Sequence, residues 1–271
     1  MLSPSDARKA SLKAAEKAIK YLRSKFLEEE ETVIVDRHER DVSRKIDLDV
    51  EDIIIKTLKE EGFKGSIVTE ERGVIGEGPP YAIIDPLDGS LNFSIGSPYF
   101  AVSIAISEGN TFEDVIAGAL CPSFGHPCYS AEPGKVFAGA MEMKPLSPEN
   151  VFIYYGEPED EQLEFFKRAY EKLGRVKVRT PGAIALDLLN LARGKVLAVA
   201  DVRNKLRNID IASAYLMIRE LGLPVLERVH SFPADRIDVI GDILFARDEE
   251  TLKKLLEAYS ETLAGKRGWP N

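Results

Sequence analysis

Cysteine, glutamine, tryptophan, cationic charge and long apolar runs are all in short supply in this chain, and each shortage narrows its possible roles. Of 271 residues, two are cysteine (Cys121 and Cys128), one is tryptophan, and Gln162 is the only glutamine. In CPSFGHPC the two cysteines flank His126, so a metal site or a disulfide across a turn is conceivable. A zinc site, however, calls for four ligands and usually for closer cysteine pairs. Buried, reduced thiols are the expectation. No apolar run approaches the ~20 residues of a membrane-spanning helix, and MLSPSDARKASLKAAEK has no apolar stretch of signal-peptide type. A cytoplasmic protein with no membrane partner is therefore expected, and the Asn92-Phe93-Ser94 glycosylation sequon is without a role. Basic residues are outnumbered, 36 Lys and Arg against 45 Asp and Glu, for a net charge of −9. Nucleic acid is thereby disfavoured as a partner, since a phosphate backbone calls for a basic surface. Scarce glutamine beside 30% charged residues resembles a thermophile's composition.

What is present is a chain with 44% hydrophobic residues, enough for one large core or two fused lobes at about 150 residues per domain. Apolar residues at three- and four-residue spacing predict helices over 5–27 and 47–61. ETVIVDRH (31–38) reads as a short strand followed by a charged loop. The runs SIVTEE, YAIID, YFAVSIAIS and DVIAGALC read as strands, and PCYSAE with KVFAG as a hairpin. The stretch 140–150 is polar, carries two prolines and lacks periodicity. It divides a lobe 1–145 from a lobe 146–271. Beyond it, strands VFIYYG, RVKVRT, KVLAVAD and DILFA alternate with helices over 159–173, 183–193, 209–222 and 249–264. Such alternation gives a sheet with helices on its faces, so the fold class is α/β, layered, with two coupled sheets.

The informative residues stand where strands end. Tyr81 to Ile84 lead directly into Asp85-Pro86-Leu87-Asp88-Gly89-Ser90, which puts two carboxylates three residues apart at a strand terminus. Like charges there need compensation. Pro86 is expected to stop the ladder, and Gly89 lets a ligand approach the backbone. Ser90 opens a segment whose N–H groups can hold an oxyanion. Two hard oxygen ligands beside an amide cradle suit a phosphate bridged by Mg²⁺. An Asp-rich turn with an Asx motif is the plainer alternative. Glu70 and Glu71 end the preceding strand-like run, and Asp210 begins a helix among apolar neighbours, so further acids are available to a two-metal cage.

With those residues in place, the sequence resembles the inositol monophosphatase family, the group that also holds fructose-1,6-bisphosphatases and lithium-sensitive phosphatases. The signature D-P-[IL]-D-G-[TS]-x-N-F stands as Asp85 to Phe93. The Glu-Glu pair is Glu70-Glu71, and the distal W-D-x-A-[AG] element is Ile209 to Ser213, with Ile209 in place of Trp. Asp41, Asp47 and Glu51 match the element before the second helix, and Arg179 to Ile184 match the R-x-x-G-x-A segment. The resemblance implies a sugar-phosphatase fold, an αβαβα sandwich, and a homodimer.

It also implies roles. Glu70, Asp85, Asp88, Asp210 and the Leu87 carbonyl bind two or three Mg²⁺ ions, with Mn²⁺ as a possible substitute, and Glu70 belongs with Asp47 and Ser90 to the catalytic set. Gly89 and Ser90 offer amides to the phosphate, while the Ser90 hydroxyl, paired with Asp47, activates the attacking water, which acts directly and in line. Asp88, Gly182, Ala183, Ile184, Arg179 and Arg203 contact substrate. Glu71 falls behind the ligands, and Arg37 and His38 lie on a loop with His38 in solvent. Arg203 occupies the position that is Glu in the animal inositol phosphatases; a guanidinium suits a second phosphate. Lys205 and Arg207 are expected on a solvated basic face. The substrates expected are a small phosphorylated sugar or polyol, with fructose 1,6-bisphosphate first and inositol 1-phosphate second. A 3′-phosphoadenosine 5′-phosphate phosphatase, or a non-catalytic sensor or regulatory protein on the same fold, are the alternatives.

Overall fold

The computed structural model describes residues 2–26, 45–144 and 146–267. The strand expected over 31–38, together with Arg37, His38 and Asp41, lies outside them. Helix α1 (Pro4–Lys25) starts where the Ser3 hydroxyl accepts from the Asp6 amide at 3.2 Å and Pro4 takes the first turn. Its buried side is mostly alanine: Ala7, Ala10, Ala14, Ala15 and Ala18, followed by Ile19 and Leu22. Small side chains let α1 lie close to the sheet beside α2 (Lys45–Glu60).

The first sheet runs β2 (Gly73–Ile75), β1 (Ser66–Thr69), β3 (Tyr81–Asp88), β4 (Ala101–Ser107), β5 (Val115–Pro122), β6 (Tyr129–Glu132), β7 (Lys135–Ala138) and β8 (Met141–Glu142). Among the described strands of this sheet, only β1 and β3 pair in parallel. The second sheet runs β10 (Lys177–Arg179), β9 (Val151–Tyr155), β11 (Ala198–Asp201) and β12 (Ile243–Ala246), with β12 antiparallel. Both faces of each sheet are covered, which is why the strands read as nearly continuous apolar runs. Ile67, Ala82 and Ile84 pack with α1 and α2. Their neighbours Val68 and Ile83 point the other way, into a middle cluster with α5 (Ile184–Ala192) and α6 (Ala212–Glu220). Ile153, Val199 and Phe245 of the second sheet close that cluster from its far side. Phe152, Ala198 and Leu244 face α4 (Asp160–Leu173) and the helix Glu249–Thr262. Five layers result: helices, sheet, helices, sheet, helices.

Three local expectations are corrected. Pro86 does not end β3; the strand continues to Asp88 through a register irregularity between Asp85 and Asp88, because a bulge absorbs the missing N–H. The helix expected over 209–222 is split into a 3₁₀ turn, Asn208–Asp210, and α6, with Ile211 between them. Cys121 and Cys128 are joined as a disulfide rather than reduced. The register explains it: Leu120 pairs with Tyr129 across β5 and β6, so Cys121 and Cys128 are the next opposed pair, with Cα atoms 4.2 Å apart.

Candidate active site

A cavity of about 340 Å³ opens where the carboxyl end of β3 meets the start of α5 and the Asn208–Asp210 turn; Glu70, Asp85, Leu87, Asp88, Gly89, Ser90, Gly182, Ile184, Arg203, Arg207 and Asp210 all line it. Each arrives by a local cause. The Asp85 carboxylate accepts from the Leu87 amide at 3.1 Å, an Asx turn that shapes the bulge. Asp88 accepts from the Leu186 amide at 3.1 Å, so the first turn of α5 reaches back to the opposite sheet. Gly89 has φ of 88°, and a Cβ there would lie 2.9 Å from the Tyr99 carbonyl oxygen. Just beyond it, α3 (Ser90–Ser94) carries Asn92, whose amide donates to Tyr99 O at 2.7 Å and Pro181 O at 2.8 Å. That bond pins the signature turn to the Gly182 segment. Glu70 follows Thr69, whose hydroxyl donates to the fully buried Glu51 at 2.7 Å and so ties β1 to α2.

The electrostatics are those of crowded acids. Burial pushes the Asp85 carboxyl well above the ordinary range, and the charges of Glu70, Asp88 and Asp210 push it further. Burial likewise raises Asp88, against the Leu186 amide that favours its anion. Asp210 is pushed up to about 6 by burial, opposed by the Arg207 guanidinium. Arg207 is the residue that composition and spacing misplaced. Far from a solvated face, its Nη2 meets Glu70 Oε1 at 2.5 Å and its Nε lies 3.6 Å from Asp210 Oδ1. Its own amide donates to Asp210 at 2.8 Å. Burial would lower its pKa, but the surrounding carboxylates hold it above the usual range. Lys205, by contrast, is exposed and pairs with Glu157.

Arg203 lines the cavity, but its charge is already matched. Nε and Nη2 grip Asp201, with Nη2 2.5 Å from Oδ2, and Asp201 is only 1% exposed. Arg179 is exposed, away from the cavity lining, and donates to the Val178 carbonyl. Ala183 is buried behind Gly89 rather than lining the cavity. Asp47 is buried in the first turn of α2, also outside the lining set. Tyr155 lines the cavity as well and was not anticipated, since a tyrosine at a strand end carries no signal in sequence.

Among the described residues, no three Asp, Glu, His or Cys side chains are closed into one metal-binding group. The donor set nevertheless fits a hard divalent cation: carboxylates from separate elements face one cavity, and the charges that raise Asp85 are those a cation would neutralise. Arg207 supplies part of that neutralisation.

Fold and cavity together define a metal-dependent phosphatase. The chain belongs to the inositol monophosphatase family, whose model matches residues 4–261. It is 37% identical over 228 residues to a fructose-1,6-bisphosphatase/inositol-1-monophosphatase of Thermococcus kodakarensis, covering 82% of this chain and 84% of the relative. It is 34% identical over 227 residues to a fructose-1,6-bisphosphatase of Pyrococcus furiosus, covering 80% and 83%. The crystal structure of an inositol monophosphatase–fructose 1,6-bisphosphatase is similar with a TM-score of 0.73 at 29% identity, covering 91% of this chain and 96% of that one.

Proposed function

We propose that this chain hydrolyses small phosphorylated sugars and polyols with Mg²⁺, fructose 1,6-bisphosphate first and inositol 1-phosphate second. The observation that carries the reading is the convergence of Glu70 from the end of β1, Asp85 and Asp88 from β3, and Asp210 from the Asn208–Asp210 turn on the cavity that also holds Gly89, Ser90 and Gly182. The two named archaeal relatives support the substrate class. Glu70, Asp85, Asp88, Asp210 and the Leu87 carbonyl would hold two or three ions, and Mn²⁺ has the same ligand preference. Bound there, Mg²⁺ supplies Lewis acidity and lowers the pKa of a nearby water.

The chain's own residues do the rest. Gly89, free of a Cβ, lets the phosphate reach the backbone amides of the turn. The Ser90 hydroxyl, paired with Asp47 behind the cavity lining, orients the attacking water and takes its proton. Water attacks phosphorus directly, the ester P–O bond breaks, and alcohol and inorganic phosphate leave without a phosphoenzyme. Arg203 donates to the far phosphate through Nη1, the guanidinium nitrogen that Asp201 does not use. A homodimer completes the proposal.

Phosphate release from a panel of phosphomonoesters, with and without Mg²⁺, tests the reading; no release from fructose 1,6-bisphosphate or inositol 1-phosphate with Mg²⁺ present overturns it. Within that panel, Arg203→Ala should raise KM for fructose 1,6-bisphosphate about tenfold, the scale of one charge-assisted hydrogen bond. Inositol 1-phosphate, with no second phosphate, should change much less. Equal losses on both would make Arg203 structural.

A further inference from the structure

We propose that Tyr155, seated on the buried carboxylate of Asp187, is a positioning residue that holds the far wall of the substrate cavity and tunes its preference for a second phosphate. The inference rests on the proposed substrate class and deepens it. Three contacts of one side chain carry it. The ring of Tyr155 lies under the Arg203 guanidinium, 4.7 Å from centroid to Cζ. Its hydroxyl oxygen accepts from the Gly182 amide at 2.7 Å. Its hydroxyl proton goes to Asp187 Oδ2.

Asp187 gives that arrangement its direction. It is fully buried in the first turn of α5, and its other oxygen accepts from the Tyr99 hydroxyl at 2.5 Å. Asn190 then donates to Tyr99 at 3.0 Å. The Gly182 amide has a proton to give and no lone pair to offer, so the Tyr155 oxygen accepts from Gly182 and the Tyr155 proton points at Asp187. Gly182 has φ of 93°, and a Cβ there would meet the Asn92 amide at 3.1 Å. The segment is therefore fixed from two sides, by Asn92 and by Tyr155. On its remaining face Tyr155 presents an aromatic plane to Arg203, while Asp201 grips Nε and Nη2 from beside it. A guanidinium clamped by a carboxylate and stacked on a ring has few rotamers left, so it meets a far phosphate already ordered. Neither Tyr155 nor Asp187 has to touch the reacting atoms for this.

The two functions of Tyr155 separate by mutation. Tyr155→Phe keeps the ring and removes the hydroxyl. It should raise KM for fructose 1,6-bisphosphate and inositol 1-phosphate by similar small factors, leaving their ratio unchanged, and should speed exchange of the Gly182 amide. Tyr155→Leu removes the ring too. It should cost the bisphosphate roughly fivefold or more in KM beyond the monophosphate, the scale of a partly desolvated cation–π contact, with kcat nearly kept. A reading independent of turnover comes from the Arg203 Nε–H resonance, assigned by its loss in Arg203→Lys. It should exchange with solvent faster in Tyr155→Leu and unchanged in Tyr155→Phe. An unchanged substrate ratio or an unchanged Nε–H exchange in Tyr155→Leu overturns the proposal. Should that variant not fold, unaltered KM values and Gly182 exchange in Tyr155→Phe overturn it. If the wild type cleaves neither substrate, the substrate reading fails and the two exchange measurements alone decide the positioning role.

Discussion

Asp85 and Asp210 sit where water has been displaced and acids crowd, so each carboxylate raises the cost of ionising its neighbours. Asp85→Asn or Asp210→Asn removes one proposed ligand and one repulsive charge together. Turnover should fall by at least about a hundredfold, while melting of the metal-free protein stays level or rises; near-normal activity at saturating substrate and Mg²⁺ would remove these residues from the ligand set. Arg207 poses the opposite case. It stands between Glu70 and Asp210, so it stabilises the metal-free cluster and would compete with a bound cation. Arg207→Met should lower the metal-free melting temperature and tighten Mn²⁺ binding by roughly tenfold, as expected for one cation withdrawn from a partly screened site. Isothermal titration reads this directly, and weaker binding would show that Arg207 serves the ligands rather than rivalling the metal.

At the scale of elements, the turn joining β5 to β6 is the clearest case of register deciding chemistry. The strands oppose Cys121 to Cys128, and the disulfide closes a loop with a sequence separation of 7. The same turn is held from α1, where Arg23 donates to the Pro122 carbonyl at 2.8 Å, and Phe124 packs against Phe26 and Phe100. Opening so short a loop should cost about 2–3 kcal/mol, or about 4–10 °C of melting temperature for a chain of this size. A reducing agent should produce that loss in the wild type and none in a Cys121→Ala/Cys128→Ala double variant. If reductant leaves the wild-type melt in place, the bond does not form in solution or contributes nothing.

The whole molecule meets at Asp187, because Tyr99 comes from the first sheet's side, Tyr155 from the second sheet, and Asp187 itself from the helix between them. Burial pushes this carboxyl up to about 7, against the two tyrosine hydroxyls that favour its anion. An ordinary Asp titrates near 3.9. Since the folded value is the higher one, the contribution of Asp187 to stability is complete below the ordinary range and is lost as pH rises through about 7. Metal-free wild type should therefore lose stability relative to Asp187→Asn between about pH 4 and 7, with the difference level above that. Denaturant melts of both proteins across that range measure it, and a difference independent of pH would show that Asp187 does not titrate there.

Much of this was legible in the chain. The β3 signature, Glu70 at the end of β1 and Asp210 before α6 are local patterns, and local patterns survive in sequence because strand ends and helix starts impose them. The layered class followed from apolar runs alternating with helical periodicity. What the sequence left open depended on residues far apart. Arg207 read, with Lys205, as part of a solvated basic face, since nothing local records that Glu70, 137 residues away, is its partner. Arg203 read as a free charge although Asp201 stands only two residues before it; what spacing does not record is that the second sheet buries Asp201 and leaves it gripping the guanidinium. Tyr155 and Asp187 were invisible for the same reason: a strand tyrosine and a helix aspartate look like ordinary core and ordinary first-turn acid. The acids and glycines that line the candidate site are marked by short-range sequence. Which of them are paired, stacked or left available to a ligand is fixed only when two sheets close on the helices between them, because Coulomb and hydrogen-bond partners are chosen by distance in space.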